Sequence, residues 1–587
     1  MIDKNFVVGL LLAITVVITY NMYYEYKFGD YYRAQEKIAA EKKIIEETGE
    51  KKELVEERAS NQPIAPNDRE SSNQGTSRVG INAEGPAGDS INKPNLNTNQ
   101  KTIRINNGLV EIVLSNKGAI LQEYKLTKYA DNKNQHIDLI YKPTDFVTEQ
   151  DRLERIAQEN GDKNFSRLHK YPTMGLKFPN YAFSKRINEA FFTLTEQREY
   201  IELRSGDKPL RIEYRLADES GVVVTKSYVF YPEDYKFEVE IAVKSTPKWG
   251  VFNYSLVWFG LGDEETDFIS FYSYNCPIIK EGDKSPLFVE TLDETDKPFE
   301  EYEGNIKWSA LTHRYFTVFA MFQDMPTSYV KTTYISDSDA TLEWRLNSTL
   351  SHQPTVASFY VGPKTHEQLN KYKDNVSSII NYGWFDILAR PMYWLMELFF
   401  KWTGNWGWSI ILLTVVTKVL FFPLTQRGFK SMQKLQKLQP HMKKLQDVYK
   451  DDKEKLNQEM MSLYKEHKVN PVGGCMPLIL QIPIFFALYK VLLESIELKG
   501  AEWIFWIKDL SLQDPYYITP VFMGASMLIQ QMMTPKTGDP MQRKVMMAMP
   551  VIFTVMFLQF PSGLVIYWLV NNILTIGQQW LINRETK

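Results

Sequence analysis

Nineteen residues from Trp406 to Leu424, WGWSIILLTVVTKVLFFPL, hold a single charge, Lys418. An apolar stretch of that length is enough to cross a bilayer as a helix. A lysine near a bilayer centre costs about 2.5–3.5 kcal/mol on insertion scales, so it marks a functional site by default. The alternative is a snorkelling side chain. Lys418 stands six residues before Leu424, about 9 Å at helical rise, and its stem can cover part of that distance. The rest of the chain decides between the two readings.

At 587 residues the chain exceeds one compact domain. A mean hydropathy of −0.32 and a formal net charge of −3 suit an ordinary soluble protein, but the averages hide apolar residues concentrated at the two ends. The two cysteines, Cys276 and Cys475, give no disulfide or metal-ligand pattern. The seven histidines are scattered, and HExxH, GxSxG and GxxxxGKS/T are absent. The common hydrolase and nucleotide-binding signatures are thereby excluded. No cofactor, metal or small-molecule substrate is expected.

Phe6 to Met22 is an apolar run followed by YYEYKFGDYY, too bulky for a signal-peptide cleavage site. A retained anchor over 1–24 is expected rather than a cleaved leader. Residues 25–58 mix Glu and Lys at spacings that suit a solvated helix. Residues 59–100 turn Asn-, Ser-, Gly- and Pro-rich and read as a flexible tether. Residues 25–100 are thus a linker.

From 101 to 365 the pattern is β. Phe237, Val239, Ile241 and Val243 alternate with polar residues, the period of a half-buried strand. Gly108 to Leu126 reads as two strands around a turn at Asn116-Lys117-Gly118. Many such strands predict a large sandwich. With residues 366–380, read as helical, it makes a domain over 101–380. A sugar-epimerase type of enzyme also uses large sandwiches, but the histidines and carboxylates here show no informative spacing.

The C-terminal part, 381–587, reads as a helical membrane domain. WFDILARPMYWLMELFFKWT, 384–403, places a charge about every fourth residue on an apolar helix, which suits one lying in the membrane interface. Arg427 to Lys468 holds 11 Lys/Arg against six acids and reads as a cytoplasmic helical hairpin, 427–468, interrupted at Pro440. Such a run is either a solvated face or a surface for anionic lipid or ribosomal RNA. Further spans are expected at 475–493, 517–533, 546–560 and 564–580. The signs of the intervening loops predict six spans with both termini cytoplasmic and the β domain outside. The fourth and fifth are short, which suggests local bilayer thinning.

Polar residues form stripes within these spans. Thr414, Lys418 and Thr425 share one helix face, and Tyr567, Asn571, Thr575 and Gln578 another. Gln481 and Gln530 lie on further spans. Each could simply bond a neighbouring helix, at about 0.6 kcal/mol apiece; together with a lysine they favour a hydrated cavity. The nine methionines from Met523 to Met556 could serve as adaptable contacts for varied apolar partners, but ordinary packing is the expected role for most of them.

GNWGWSI (404–410), FFPLT (421–425), QEMMSLYKEHKVNPVGGCMPLILQIPIFFALY (458–489), DLSLQDPYYI (509–518), DPMQRKVM (539–546) and MPVIFTVMFLQFPSGLVIYW (549–568) closely resemble the YidC family of membrane protein insertases, in its long form with a large periplasmic domain. The resemblance implies a bacterial inner-membrane protein with a hydrophilic groove that receives nascent membrane proteins, alone or with the Sec translocon. It implies a periplasmic supersandwich without enzymatic activity. The groove's usual arginine is replaced by Lys418, a compact charge without the planar fork. The family's essential threonine matches Thr414, and its substrate-contacting aromatic position falls at Tyr567–Trp568. Expected groove residues are therefore Lys418, Thr414, Gln481, Gln530, Tyr567, Trp568 and Asn571. Lys434, Lys437, Lys443 and Lys444 of the hairpin are expected to recruit substrate, with the ribosome, the signal-recognition machinery and membrane lipids as further partners. The competing functions are a transporter or channel with Lys418 as counter-ion, and an anchored envelope-side carbohydrate enzyme.

Overall fold

The computed structural model describes residues 100–130, 135–140, 171–262, 276–289, 299–322, 327–336, 339–348, 354–450, 452–467, 476–533 and 540–585. The expected anchor at Phe6–Met22, the linker up to residue 99 and Cys475 lie outside them.

Two sheets build the β domain. Thr102–Asn106, Val110–Ser115, Ile120–Ala130 and His136–Asp138 pair antiparallel in sequence order, and Tyr200–Glu202 adds in parallel beside the first strand. Thirteen strands form the second sheet, with Lys236–Lys244 between Val223–Phe230 and Thr355–Pro363. Inward positions carry the expected alternation: Phe237, Val239, Ile241 and Val243 are buried in the same core as Ile103, Ile105, Ile112 and Leu114. Polar clips join the sheets at their rims. The Asn107 side-chain amide donates to the carbonyls of Tyr231 and Asp234 at 2.9 and 2.7 Å, and the Tyr124 hydroxyl to Tyr235 at 2.9 Å. Gly118 closes the predicted turn at φ 72°, where a Cβ would lie 2.4 Å from the Asn188 carbonyl oxygen. Only glycine fits both constraints.

Helix α1 (Tyr181–Glu189) packs within this domain. The helix expected over 366–380 is shorter. α2 covers His366–Leu369, capped by the Thr365 hydroxyl, and Asp374 and Asn375 then take left-handed conformations before a single 3₁₀ turn, Val376–Ile379. Two consecutive left-handed residues cannot continue a right-handed helix.

α3 (Asp386–Thr403) buries Ala389, Met392, Tyr393, Met396 and Phe399 and exposes Ile387, Trp394 and Trp402. It ends at Gly404, left-handed at φ 66°. The Asn405 side chain then caps α4, accepting from the Trp408 N–H, while its amide donates to the Glu502 carbonyl at 2.9 Å. α4 runs unbroken from Trp406 to Val448, 43 residues and about 65 Å long. The expected interruption at Pro440 does not occur. Proline removes its own N–H and crowds the carbonyl four residues earlier, and that residue, Gln436, lies on an exposed stretch of the helix open to solvent. The first apolar segment and the first arm of the hairpin are thus one rod. α5 (Lys453–Glu466), capped by Asp452, folds back on it with Leu438 and Leu456 buried.

The remaining helices are α6 (Met476–Glu494), α7 (Ile518–Met533), α8 (Pro540–Phe557) and α9 (Ser562–Glu585). Among the described residues, α4 alone is long and apolar enough to cross a membrane by length and composition; Met546–Phe557 is a shorter apolar segment. The loop before α7 is organised by buried Asp514, which accepts from the Thr519 N–H and hydroxyl, the Tyr516 N–H and the Trp506 indole. It also pairs with the start of α9, where Ser562 and Gly563 donate to the carbonyls of Leu512 and Leu510.

Candidate functional site

α4 and α9 run parallel and meet along their polar stripes. The Lys418 ammonium donates to the Thr575 hydroxyl oxygen at 2.6 Å and to the Asn571 side-chain oxygen at 3.3 Å. Further along, the Gln578 amide donates to Thr425 Oγ1 at 2.9 Å and to the Phe422 carbonyl at 3.3 Å. Gln433 then donates to Asn583 at 2.8 Å. The register advances together on both helices, so Lys418, Thr425 and Gln433 of one each meet a polar partner on the other.

Beside Lys418 the ladder opens into a small cleft. Its walls are Thr417, Lys418, Phe421 and Thr425 of α4, Gln481 and Ile484 of α6, and Tyr567 and Asn571 of α9. No lining residue is acidic. On the other flank of α4, Val415, Val416, Val419 and Leu420 are exposed, Val419 and Leu420 by about two thirds. The same helix therefore offers an apolar face and a polar cleft within one turn of each other.

Of the residues expected in one groove, Lys418, Gln481, Tyr567 and Asn571 line this cleft. Thr414 does not. It is buried, and its hydroxyl donates to the Ile410 carbonyl of its own helix at 2.7 Å. Gln530 on α7 also lies outside the lining. Trp568 points into an aromatic cluster, with ring centroids 4.8 Å from Phe485 and 5.3 Å from Phe557. Thr417 and Thr575 were not among the expected site residues, although Thr575 follows Asn571 by four on the polar stripe. The hairpin lysines Lys434, Lys437, Lys443 and Lys444 are all exposed. Among the described residues, no three His, Cys, Asp or Glu side chains gather as a metal centre requires.

The β domain is seated directly on the helices. Arg314 donates to the Leu493 carbonyl at the end of α6 at 3.0 Å, and the Tyr393 hydroxyl donates to Glu497 at 2.7 Å. Burial raises the Glu497 carboxyl above its ordinary value, opposed by the Tyr393 bond. His366 packs its ring 4.6 Å from Tyr393 and shares a 3.1 Å hydrogen bond with the Tyr382 hydroxyl.

Comparison with known proteins covers both halves of the chain. Residues 398–587 match the family described as 60Kd inner membrane protein, and residues 162–395 match that described as YidC periplasmic domain. The protein named membrane protein insertase YidC in Geotalea daltonii is 36% identical over 497 residues, covering 83% of this chain and 87% of that one. The protein of the same name in Geobacter sulfurreducens is 40% identical over 425 residues, covering 70% and 77%. A crystal structure of an active YidC insertase aligns over 81% of this chain and 92% of its own, with 17% identity and a TM-score of 0.35. With this identity held over most of the length of both partners, the chain belongs to the YidC family of membrane protein insertases.

Proposed function

We propose that the cleft between α4, α6 and α9 is a hydrophilic groove that admits the polar part of a nascent membrane protein. The observation that carries this is a lysine in the otherwise apolar segment Trp406–Leu424 of α4, held by polar side chains of α9 beside a cleft whose described lining holds no acidic residue. A hydrophilic segment crossing a membrane faces an apolar slab of about 30 Å. A wet recess partway through shortens the slab. Lys418 attracts acidic residues of the segment, while the apolar part of the substrate leaves along the exposed face of α4 into lipid. Hydrophobic partitioning and, for acidic tails, the membrane potential drive the process. No covalent step is needed.

In this reading the chain has six spans with both termini in the cytoplasm, the β domain sits in the periplasm between the first two, and α3 rests in the outer interface on its exposed tryptophans. The hairpin α4–α5 presents Lys434, Lys437, Lys443 and Lys444 to the cytoplasm, where they meet the ribosome, signal-recognition machinery or anionic lipid. The Sec translocon is the partner for substrates whose translocated domains are too large for the groove alone.

Complementation of an insertase-depleted strain tests the charge. Lys418→Arg supports growth and insertion, and Lys418→Glu fails for substrates with acidic tails. Normal insertion of those substrates by Lys418→Glu would sink the proposed role of the lysine.

A further inference from the structure

Among the described residues, the Lys418 ammonium is held by one neighbouring helix, α9, and by groups of defined polarity. The Thr575 hydroxyl donates its own hydrogen to the Asn571 backbone carbonyl at 2.6 Å, so its lone pairs are left to accept from the ammonium at 2.6 Å. The Asn571 side-chain oxygen accepts at 3.3 Å. An ammonium has three donors and no acceptor. α9 therefore takes two and leaves one for the cleft, which Gln481 of α6 and Tyr567 of α9 also line. None of the lining residues supplies a counter-charge.

Lysine differs from arginine in needing this help. A guanidinium presents a rigid fork, whereas an ammonium ends a flexible four-carbon stem. Free of its ties, that stem would swing toward the nearer water layer, as long basic side chains do, and the cleft would lose its charge. We infer that Thr575, supported by Asn571, is a positioning residue that keeps the Lys418 ammonium at the cleft and thereby sets the groove's preference for acidic side chains in the translocating segment. This rests on the groove reading given above.

The test uses full-length protein in proteoliposomes and two reporter substrates identical except for Asp or Asn at one site of the translocated tail. The readout is the ratio of acidic to neutral reporter inserted. Lys418→Gln abolishes the preference. Thr575→Val, nearly the same in shape, lowers the ratio about tenfold, the size of one hydrogen bond to a charged group, and Thr575→Ser restores it. In the Lys418→Gln background, Thr575→Val leaves the ratio unmoved. A fall of both reporters together in Thr575→Val would mean a packing role and overturn the inference, as would a shift of the ratio without the lysine. If Lys418→Gln itself kept the preference, the groove reading would fail. If it abolished the preference while Thr575→Val left the ratio unchanged, the positioning role alone would fail.

Discussion

The ammonium of Lys364, just past the last strand of the β domain, lies 2.8 Å from a carboxylate oxygen of Glu494 at the end of α6, and both side chains are 1% exposed. The same ammonium donates to the His313 carbonyl at 3.0 Å. Positive groups from the β domain, Lys364 and Arg314, thus converge on the C-terminal end of α6, the end whose unpaired carbonyls favour cations. This helix also supplies Gln481 to the cleft, so the helix that anchors the β domain also forms one wall of the cleft.

A buried pair of this kind is costly to break singly, because the remaining charge is stranded out of water. Lys364→Met is expected to destabilise the protein by about 3–5 kcal/mol. The double variant Lys364→Met/Glu494→Leu should recover most of that loss. Thermal unfolding of the detergent-purified protein measures both, and equal losses in the single and double variants would contradict the pair's being coupled.

His366 predicts a pH dependence at the same junction. Burial is the larger cause, and Arg390 the second, of a fall in its imidazole from 6.5 to about 4, against the opposing pull of Glu397 and Asp386. The unfolded chain binds a proton near pH 6.5, whereas the folded chain binds it only near 4. The stabilisation is therefore complete above pH 6.5 and is lost as pH falls through about 4. His366→Phe keeps a ring against Tyr393 but cannot titrate. Unfolding midpoints of the two proteins should have a fixed offset above pH 6.5, and wild type should lose stability relative to the variant as the pH is lowered to 4. Parallel curves across that range would show that His366 does not titrate in this way.

Local periodicity made much of the fold legible. The alternation at Phe237–Val243 pointed to its strand, and the Asn-Lys-Gly turn to its hairpin, because both rest on neighbours in sequence. The stripe from Tyr567 to Gln578 was equally readable as a helix face, and four of the expected groove residues meet in one cleft. The failures have a common cause. Thr414 lies one turn from Lys418, yet its hydroxyl is satisfied by its own backbone, a choice that spacing does not reveal. Pro440 looked like a break because sequence does not show that the carbonyl it orphans, on Gln436, lies on an exposed stretch of one continuous helix. The Lys364–Glu494 contact joins residues 130 apart that belong to different domains, and no local pattern points from one to the other.

Gly407 stands where the opening of α4 meets the external loop. A Cβ built there would lie 2.1 Å from Trp503 Cδ1 and 2.3 Å from Cγ. A rigid indole cannot yield by rotating its tip, and the loop that carries it is tied down: the Asn405 amide bonds Glu502, and the Trp503 N–H bonds the Ile507 carbonyl at 3.0 Å. The glycine is thus required by close approach alone, whereas Gly118 is required by its backbone angle as well. Gly407→Ala is expected to cost about 1–3 kcal/mol, the usual penalty of overpacking, even though alanine is the better helix former by about 1 kcal/mol. Trp503→Ala in the same chain should relieve the clash, so that Gly407→Ala becomes neutral or stabilising in that background. Differential scanning of the four proteins reads this cycle directly. A Gly407→Ala penalty that persisted without the indole would place the constraint elsewhere in the helix.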